Sequence, residues 1–263
     1  MKYKIGIAGI GMVGEALSKI FKNPILYDKY KDIGSIKELN KADIIFICVP
    51  TLTIQNTQDI SSLEEIINQI NNNKIIVIKS TILPGTVQLM QEKYPKKRFL
   101  FNPEFLTEES ADQDIKYPDR QIVGYTKQSY TIAGDILNLL PQAPVERIVK
   151  SEVAEFIKYY GNCWFAVKVA YNNQMYDLAQ EIGFDNRNWE DIIDCISADK
   201  RIGRSHLEIW HKGFRGYGGK CLPKDTKALI TFGKERGVSM SILRSINDYN
   251  DKLLEQQRRD KDR

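Results

Sequence analysis

The stretch "GIAGIGMVG", residues 6–14, joins a short β-prone run to a helical pattern. It contains Gly9-x-Gly11-x-x-Gly14, with apolar strand residues before it and apolar residues at helical spacing after it. In such a loop the first glycine permits a tight turn and the second lets the backbone approach a pyrophosphate. The third glycine lets the helix pack closely on the strand. The stretch therefore predicts a strand–turn–helix unit that binds a dinucleotide.

A carboxylate stands where such a site needs one. Asp28 follows the next short strand, "PILY", 19 residues after Gly9. A carboxylate at this place accepts hydrogen bonds from a ribose diol and repels a 2′-phosphate. The sequence therefore predicts NAD rather than NADP as the cofactor. A glycine turn in some other α/β protein is the alternative interpretation.

Strand and helix patterns alternate over the first 150 residues, which predicts an α/β fold with a Rossmann-type, doubly wound parallel sheet. From Ser151 to Gly183 apolar residues recur at helical spacing, which predicts one long amphipathic helix. Shorter helices are expected near 189–198, 223–236 and 239–258. We therefore expect an NAD-binding domain over 1–150 and an all-helical catalytic and dimerisation domain over 151–263. The long helix carries an apolar stripe: Val153, Phe156, Ile157, Tyr160, Trp164, Val167, Tyr171, Met175 and Leu178.

Composition narrows the possible functions. A net charge of +4 with scattered basic residues is too weak to indicate nucleic-acid binding. The four cysteines form no C-x-x-C pair, and no histidines stand at zinc spacing, so we expect reduced thiols and no metal. No run approaches 18 uncharged apolar residues, so no membrane span is expected. Acidic Glu15 interrupts the apolar start, which argues against a signal peptide, and we expect a cytoplasmic protein.

Three strand ends carry candidate site residues. "FICVPT", residues 46–51, and "KSTILPGT", residues 79–86, end the next two buried strands. Ligands of open α/β sheets gather at the carboxyl ends of the strands. "NPEFLTEES", residues 102–110, follows a further strand. Glu104 lies nearest the end of that strand and is therefore the candidate catalytic residue of this segment. Taken alone, the first two segments could be simple proline turns and the third a solvated acidic loop.

The long helix places Lys158 and Asn162 four residues apart, on one face. That face borders the apolar stripe, although an exposed lysine beside a surface asparagine is the simpler interpretation of the pair alone.

Cys221 and Asp225 are also four residues apart, and Pro223 suits the first turn of a helix. We therefore expect Cys221 just outside a helix N-terminus, with Lys220 and Lys224 nearby. Such surroundings lower the pKa of a thiol and favour a nucleophilic thiolate. A structural cysteine behind a flexible loop is the alternative.

Taken in order, the motifs resemble one family. The set runs from the glycine loop through "VPT", "KST-x-x-PGT", "NPEFLTE", "PDR-x-x-VG", "E-x-x-K-x-x-x-N" and "RIG" to "GYGGKCLPKD". It closely resembles the UDP-glucose/GDP-mannose dehydrogenase family, and the resemblance extends from residue 1 to about 250. The segment "GYGGKCLPKDTKAL", residues 216–229, is its most specific part.

The resemblance implies a four-electron, NAD-dependent oxidation of a nucleotide sugar, UDP-glucose to UDP-glucuronate, as in polysaccharide biosynthesis. Cys221 would form a thiohemiacetal and then a thioester, Lys158 and Asn162 would stabilise the oxyanion, and Glu104 would assist hydrolysis. Asp225 would act as the base, with a water held by Thr81. The implied cofactor contacts are Gly9, Gly11, Met12, Val13, Gly14, Asp28, Val49, Pro50, Thr51, Ser80, Thr81 and Glu108. The implied substrate contacts are Glu104, Phe105, Leu106, Lys158, Asn162, Arg201, Tyr217, Gly218 and Cys221.

The chain departs from the family pattern in three ways. The family carries a second nucleotide-binding domain, and this chain ends about where that domain would begin. Only a short stretch separates Asp28 from the strand that begins near Ala42, and the segment 203–216 lacks the usual proline-rich pattern.

Two other functions stay open. One is a two-electron dehydrogenase of the 3-hydroxyacid type, which needs no cysteine nucleophile. The other is a catalytically silent NAD-binding or association module. The apolar stripe of the long helix also predicts a homodimer.

Overall fold

A computed structural model describes residues 3–261 of the chain. The chain divides into two compact units. The first contains residues up to Ile54 together with Gln58–Tyr159, and the second contains Gln55–Thr57 and the residues from Tyr160 onward. The domain division at residue 150 stays a prediction. In the part of the chain described here, no helix combines the length and apolar character needed to cross a membrane.

The first unit is built on a seven-stranded sheet with the order β2-β1-β3-β6-β7-β8-β9. The first five strands in that order run parallel, and β8 and β9 run in the opposite direction. The predicted fold class is confirmed, with this reversal as an added detail. The strands are β1 (Ile5–Ala8), β2 (Ile25–Tyr27), β3 (Ile44–Ile47), β6 (Ile75–Ile78), β7 (Arg98–Phe101), β8 (Arg120–Tyr125) and β9 (Val145–Lys150).

Helices lie between these strands along the chain. They are α1 (Met12–Ser18), α2 (Ile36–Leu39), α3 (Ser61–Gln69), α4 (Thr86–Lys93), α5 (Ala111–Lys116) and α6 (Ala133–Leu139), with a 3₁₀ turn at Tyr130–Ile132. The central strands are apolar on both faces because both faces are covered. Ile45 and Ile47 belong to one hydrophobic cluster, and Ile44 and Phe46 belong to the other. This alternation is the two-residue period of a strand, and it places one core on each side of the sheet.

A small hairpin follows β3 and was not predicted. It consists of β4 (Leu52–Ile54) and β5 (Thr57–Asp59). Its two turn residues, Gln55 and Asn56, both have positive φ angles, 49° and 63°. Two positive φ angles in succession make a type I′ turn, whose twist matches that of an antiparallel pair. The sequence lacks the usual Asn-Gly or Asp-Gly signal, which explains why the hairpin was missed.

The second unit consists mainly of helices. Helix α7 (Ser151–Glu181) begins in the first unit and continues into the second, and the predicted long helix is confirmed. The remaining elements are α8 (Asn186–Ser197), a hairpin of β10 (Trp210–His211) and β11 (Phe214–Arg215), α9 (Leu222–Glu235) and α10 (Ser241–Lys261). Asp185 starts α8 through a capping box with Asn188. All predicted helices occur, within a few residues of their expected ends.

The predicted apolar stripe of α7 is largely exposed in the single chain. Six of its residues are 46–64% exposed: Val153, Phe156, Tyr160, Trp164, Tyr171 and Leu178. The buried face of the helix instead carries Ala154, Tyr159, Cys163, Ala166 and Ala170. The three alanines on that face permit close packing of the helix. The prediction from large apolar residues alone did not identify this face as the buried one.

Candidate active site

The glycine loop has the shape that the sequence predicted. Gly9 has a φ of 87°, and its N–H donates to the carbonyl of Tyr27 at 2.9 Å. A methyl group on Gly14 would lie 1.9 Å from the carbonyl oxygen of Gly9, so this contact admits no side chain. A methyl group on Gly11 would meet no atom within 4 Å. The loop therefore leaves open space at the glycine where a pyrophosphate would approach, and it fits a dinucleotide.

The carboxylate of Asp28 forms hydrogen bonds with the backbone of this loop. Its Oδ2 accepts the N–H of Ile10 at 2.7 Å, and its Oδ1 accepts the N–H groups of Tyr30 and Lys31. The Nζ of Lys31 donates to the carbonyl of Ile10 at 2.6 Å. The carboxylate that the sequence assigned to the ribose therefore also ties the end of β2 to the glycine loop.

The segments that follow β3 and β6 are joined by hydrogen bonds. The Ser80 hydroxyl donates to the carbonyl of Val49 at 2.7 Å, and the Thr51 hydroxyl donates to the carbonyl of Thr81 at 2.6 Å. Two segments named separately from the sequence thus lie side by side at one sheet edge, as expected for neighbouring parallel strands.

Glu104 and Lys158 form a buried ion pair. Lys158 Nζ lies 2.9 Å from Glu104 Oε1, and the two side chains are only 6% and 12% exposed. Glu104 Oε2 also accepts the N–H of Leu106 at 2.8 Å. Burial opposes ionisation of Glu104, but Lys158, this N–H and Lys79 together hold the pKa of the carboxyl below its usual value. The pair brings together two predicted site residues, and the exposed-lysine alternative for Lys158 is wrong.

A second buried lysine was not identified from the sequence. Lys79 directly follows β6, and its Nζ donates to Asn102 Oδ1 at 2.6 Å. Asn102 in turn donates to the carbonyl of Ile122 at 2.8 Å. Burial lowers the pKa of Lys79, while its attraction to Glu104 opposes that effect. A lysine at the end of the buried apolar run "KIIVIKS" was the available signal.

In the second unit, Asn162 and Asp225 are in direct contact. The side-chain amide of Asn162 donates to Asp225 Oδ2 at 2.6 Å, and Lys224 Nζ lies 2.5 Å from Asp225 Oδ1. Asp225 is 1% exposed. Cys221 occupies the N-cap of α9, as the proline at position 223 indicated, and its carbonyl accepts the N–H of Asp225.

The four cysteines differ in their surroundings. Burial raises the pKa of Cys48 and of Cys163 to about 12, so both thiols stay protonated near neutral pH. Cys195 and Cys221 are exposed. Of these two, Cys221 lies at the start of a helix, where a negative charge is favoured, whereas Cys195 lies near the end of α8.

The glycine-rich segment before Cys221 is held by a residue that the sequence did not indicate. Asn250 on α10 accepts the Tyr217 N–H at 2.7 Å and donates to the Tyr217 carbonyl at 2.9 Å. A methyl group on Gly216, whose φ is 85°, would lie 2.6 Å from this amide oxygen. The Tyr217 ring is 2% exposed and packs in a hydrophobic cluster. Both backbone polar groups of Tyr217 are thus bound by Asn250 and its ring is buried. The substrate contact expected of Tyr217 stays a prediction.

Two of the other predicted ligand-contact residues are exposed, and a third is half-buried. Arg201 is 89% exposed at its side chain and pairs with Asp199 at 2.6 Å. Glu108 lies on the exposed turn before α5. Phe105 is half-buried and contacts two cations, with Arg120 3.8 Å and Lys158 Nζ 5.6 Å from its ring centre.

Glu155 is a further buried group that sequence analysis missed. It lies one turn before Lys158 on α7 and is fully buried. Its carboxylate accepts the N–H groups of Gly85 and Val87, at 2.7 and 2.8 Å, at the beginning of α4. Burial raises its pKa to about 7, although these two N–H groups oppose the rise.

The sheet and its glycine loop define a dinucleotide-binding protein of the dehydrogenase class. The comparison with known families agrees in both units. The profile of the UDP-glucose/GDP-mannose dehydrogenase family, NAD binding domain, matches residues 4–138, and that of the central domain matches residues 152–252. The chain therefore belongs to the UDP-glucose/GDP-mannose dehydrogenase family, and NAD is its cofactor.

Individual relatives carry related names. The chain is 34% identical over 233 residues to the UDP-glucose 6-dehydrogenase of Rickettsia prowazekii, covering 84% of this chain and 52% of that protein. It is 31% identical over 233 residues to the GDP-mannose 6-dehydrogenase of Pseudomonas aeruginosa, covering 81% and 52%. A UDP-glucose dehydrogenase structure from Pyrobaculum islandicum superposes with a TM-score of 0.82 at 25% identity, covering 95% and 68%. The chain spans about half the length of the curated relatives it matches.

Proposed function

We propose that this protein oxidises the primary alcohol of a nucleotide sugar to a carboxylate, with UDP-glucose as substrate and UDP-glucuronate as product. The observation that carries the proposal is the contact between Asn162 and the buried Asp225, one turn after Cys221 at the start of α9. The relatives named UDP-glucose 6-dehydrogenase support it. A silent module would have no need of this buried polar pair beside an exposed thiol.

Two NAD molecules, bound one after the other, would supply the hydride acceptors for the two oxidations. Gly11 leaves open space for the cofactor pyrophosphate, and Asp28 would accept hydrogen bonds from the cofactor ribose. Asp225 would take the hydroxyl proton in the first oxidation, with a water held by Thr81. The product of that step is an aldehyde, which has lost one hydride and one proton.

The second oxidation requires a covalent intermediate on the protein. The Cys221 thiolate would attack the aldehyde carbon, forming a carbon–sulfur bond and an alkoxide. The ammonium of Lys158 and the amide of Asn162 would stabilise that alkoxide. Loss of the second hydride leaves a thioester. Water then adds to the thioester, Glu104 accepts a proton from it, and the thiol departs as the carboxylate forms.

The substrate would also contact residues around these groups. We assign this role to Phe105 and Leu106 beside Glu104, to Gly218 before Cys221, and to Arg201, which would reach the substrate of a neighbouring subunit. The domain division at residue 150 is part of the same proposal.

We also propose that the exposed stripe of α7 forms a homodimer interface. The exposed residues of the stripe extend from Val153 to Leu178, and Trp164 among them is 53% exposed. Trp164→Asp places a charge on this face and should yield a monomer, whereas Glu190→Lys on α8 should leave the dimer intact. Light scattering at micromolar concentration checks this, and a monomeric wild-type mass would contradict it.

Counting NADH per sugar tests the reaction. The protein is incubated with excess NAD and limiting UDP-glucose, and we expect two NADH per sugar. Cys221→Ser should abolish formation of the carboxylate, and Cys195→Ser, which alters the other exposed thiol, should still give two NADH. One NADH per substrate, unaffected by Cys221→Ser, would instead identify a two-electron dehydrogenase. Binding of NAD without turnover of any nucleotide sugar would favour the silent module.

A further inference from the structure

Gln58, on strand β5, joins two segments of the first unit through its side-chain amide. Its Oε1 accepts the N–H of Leu83 at 2.9 Å. Its Nε2 donates to the carbonyl of Thr81 and to the hydroxyl of Tyr159, both at 2.9 Å. One amide thus connects the segment that carries Thr81 to helix α7.

The chemistry of these partners requires an amide. A backbone carbonyl only accepts a hydrogen bond, and a backbone N–H only donates one. The side chain at position 58 must therefore accept from the Leu83 N–H and donate to the Thr81 carbonyl through one terminal group. A carboxylate or an apolar side chain does not offer both functions. The same requirement fixes the orientation of the amide, because the reversed orientation would oppose donor to donor and acceptor to acceptor.

The partners of Gln58 are themselves held firmly. The carbonyl of Thr81 accepts a second hydrogen bond, from the Thr51 hydroxyl at 2.6 Å. Tyr159 is fully buried and directly follows Lys158 on α7. The position of the Thr81 backbone is therefore set relative to the helix turn that carries Lys158.

We infer that Gln58 is a positioning residue, which sets the place of Thr81 relative to α7. This inference rests on the proposed function, in which Thr81 holds a water for Asp225. Gln58 has no contact with the reacting atoms in this scheme, and it acts through the backbone of Thr81 and Leu83. Small displacements of positioned groups reduce rates strongly, about 100-fold for 1 Å in unfavourable cases.

The experiment compares Gln58→Ala and Gln58→Glu with Thr57→Ala, a change at the exposed neighbouring residue of the same strand. The first readout is amide hydrogen exchange in residues 80–87, measured without substrate and therefore independent of turnover. The second is kcat and KM for NAD-dependent oxidation of UDP-glucose.

We expect exchange at the Leu83 amide to be about tenfold faster or more in Gln58→Ala, and close to wild type in Gln58→Glu, which keeps an acceptor. Both variants should lower kcat at least tenfold with KM changed less than twofold, because both remove the donor to Thr81. Thr57→Ala should change neither readout.

Wild-type exchange at Leu83 in Gln58→Ala would overturn the inference, whatever the activity. Faster exchange with an unchanged kcat would overturn it too, since the residue would then be only structural. A wild-type chain without turnover would instead overturn the proposed function, while the exchange measurement would still decide whether Gln58 holds the segment.

Discussion

Lys158 Nζ and Glu104 Oε1 lie 2.9 Å apart, and both side chains are almost completely buried. The two groups have different proposed roles, since Lys158 would stabilise an alkoxide and Glu104 would accept a proton from water. In the chain without substrate each compensates the charge of the other. A substrate alkoxide would therefore compete with Glu104 for the ammonium of Lys158.

Breaking this ion pair from one side should destabilise the fold. Glu104→Gln leaves the buried ammonium of Lys158 without its counter-charge, and we expect the free energy of unfolding to fall by roughly 3 kcal/mol. The double variant Glu104→Gln/Lys158→Met should lose clearly less than the sum of the single changes. Urea denaturation measures both quantities, and strictly additive losses would show that the pair is not coupled.

Two glycines of the same loop should respond in opposite ways to alanine. Gly14→Ala forces a methyl group against the Gly9 carbonyl, and we expect a loss of several degrees in Tm. Gly11→Ala meets no atom of the protein, so its Tm should stay near wild type while the Kd for NAD rises at least tenfold. Calorimetry gives both values. Unchanged NAD binding in a stable Gly11→Ala protein would contradict the pyrophosphate site.

Glu155 should make stability depend on pH near neutrality. Its folded-state pKa of about 7 lies above the usual value of 4.5, so the folded protein binds this proton more tightly than the unfolded chain does. The stabilising contribution of the protonated form is therefore complete below about pH 4.5 and is lost as the pH rises through about 7.

The comparison is with Glu155→Gln, which cannot titrate. Between pH 4.5 and 8 the unfolding free energy of the wild type should fall relative to this variant, by on the order of 3 kcal/mol. Glu109→Gln, the same change at an exposed carboxylate, serves as the matched control. Parallel curves for Glu155→Gln and wild type would show that Glu155 has an ordinary pKa.

Asn250 should control the segment that leads to Cys221. Asn250→Ala removes both partners of the buried Tyr217 backbone, and we expect a loss of about 2–4 kcal/mol in unfolding free energy. Hydrogen exchange in residues 216–221 should also become faster. Asp248→Ala, on the exposed side of the same helix, is the matched control. Slow exchange at Tyr217 in Asn250→Ala would contradict this role.

The sequence predicted those features that depend on neighbours along the chain. The glycine loop, the strand before it and Asp28 lie within about 25 residues. Gly9 is required by its positive φ angle and Gly14 by its close contact with the Gly9 carbonyl. The N-cap position of Cys221 also follows from a local signal, the proline at the second position of α9. The helical periodicity of α7 was sufficient to predict its length.

Only the tertiary structure decided which residues complete the site. Gln58, Lys79, Glu155 and Asn250 each act on backbone or side-chain groups that are distant in the sequence. Of these four residues, only Lys79 has a local signal, its place at the end of a buried apolar run. The α7 stripe shows the same limit, because periodicity identifies an apolar face but not what covers it. Turns, helix caps and helical periodicity depend on residues that are close in the sequence, so local patterns predict them. Buried polar contacts join residues that are distant in the sequence, and they form only when folding has removed water from both groups.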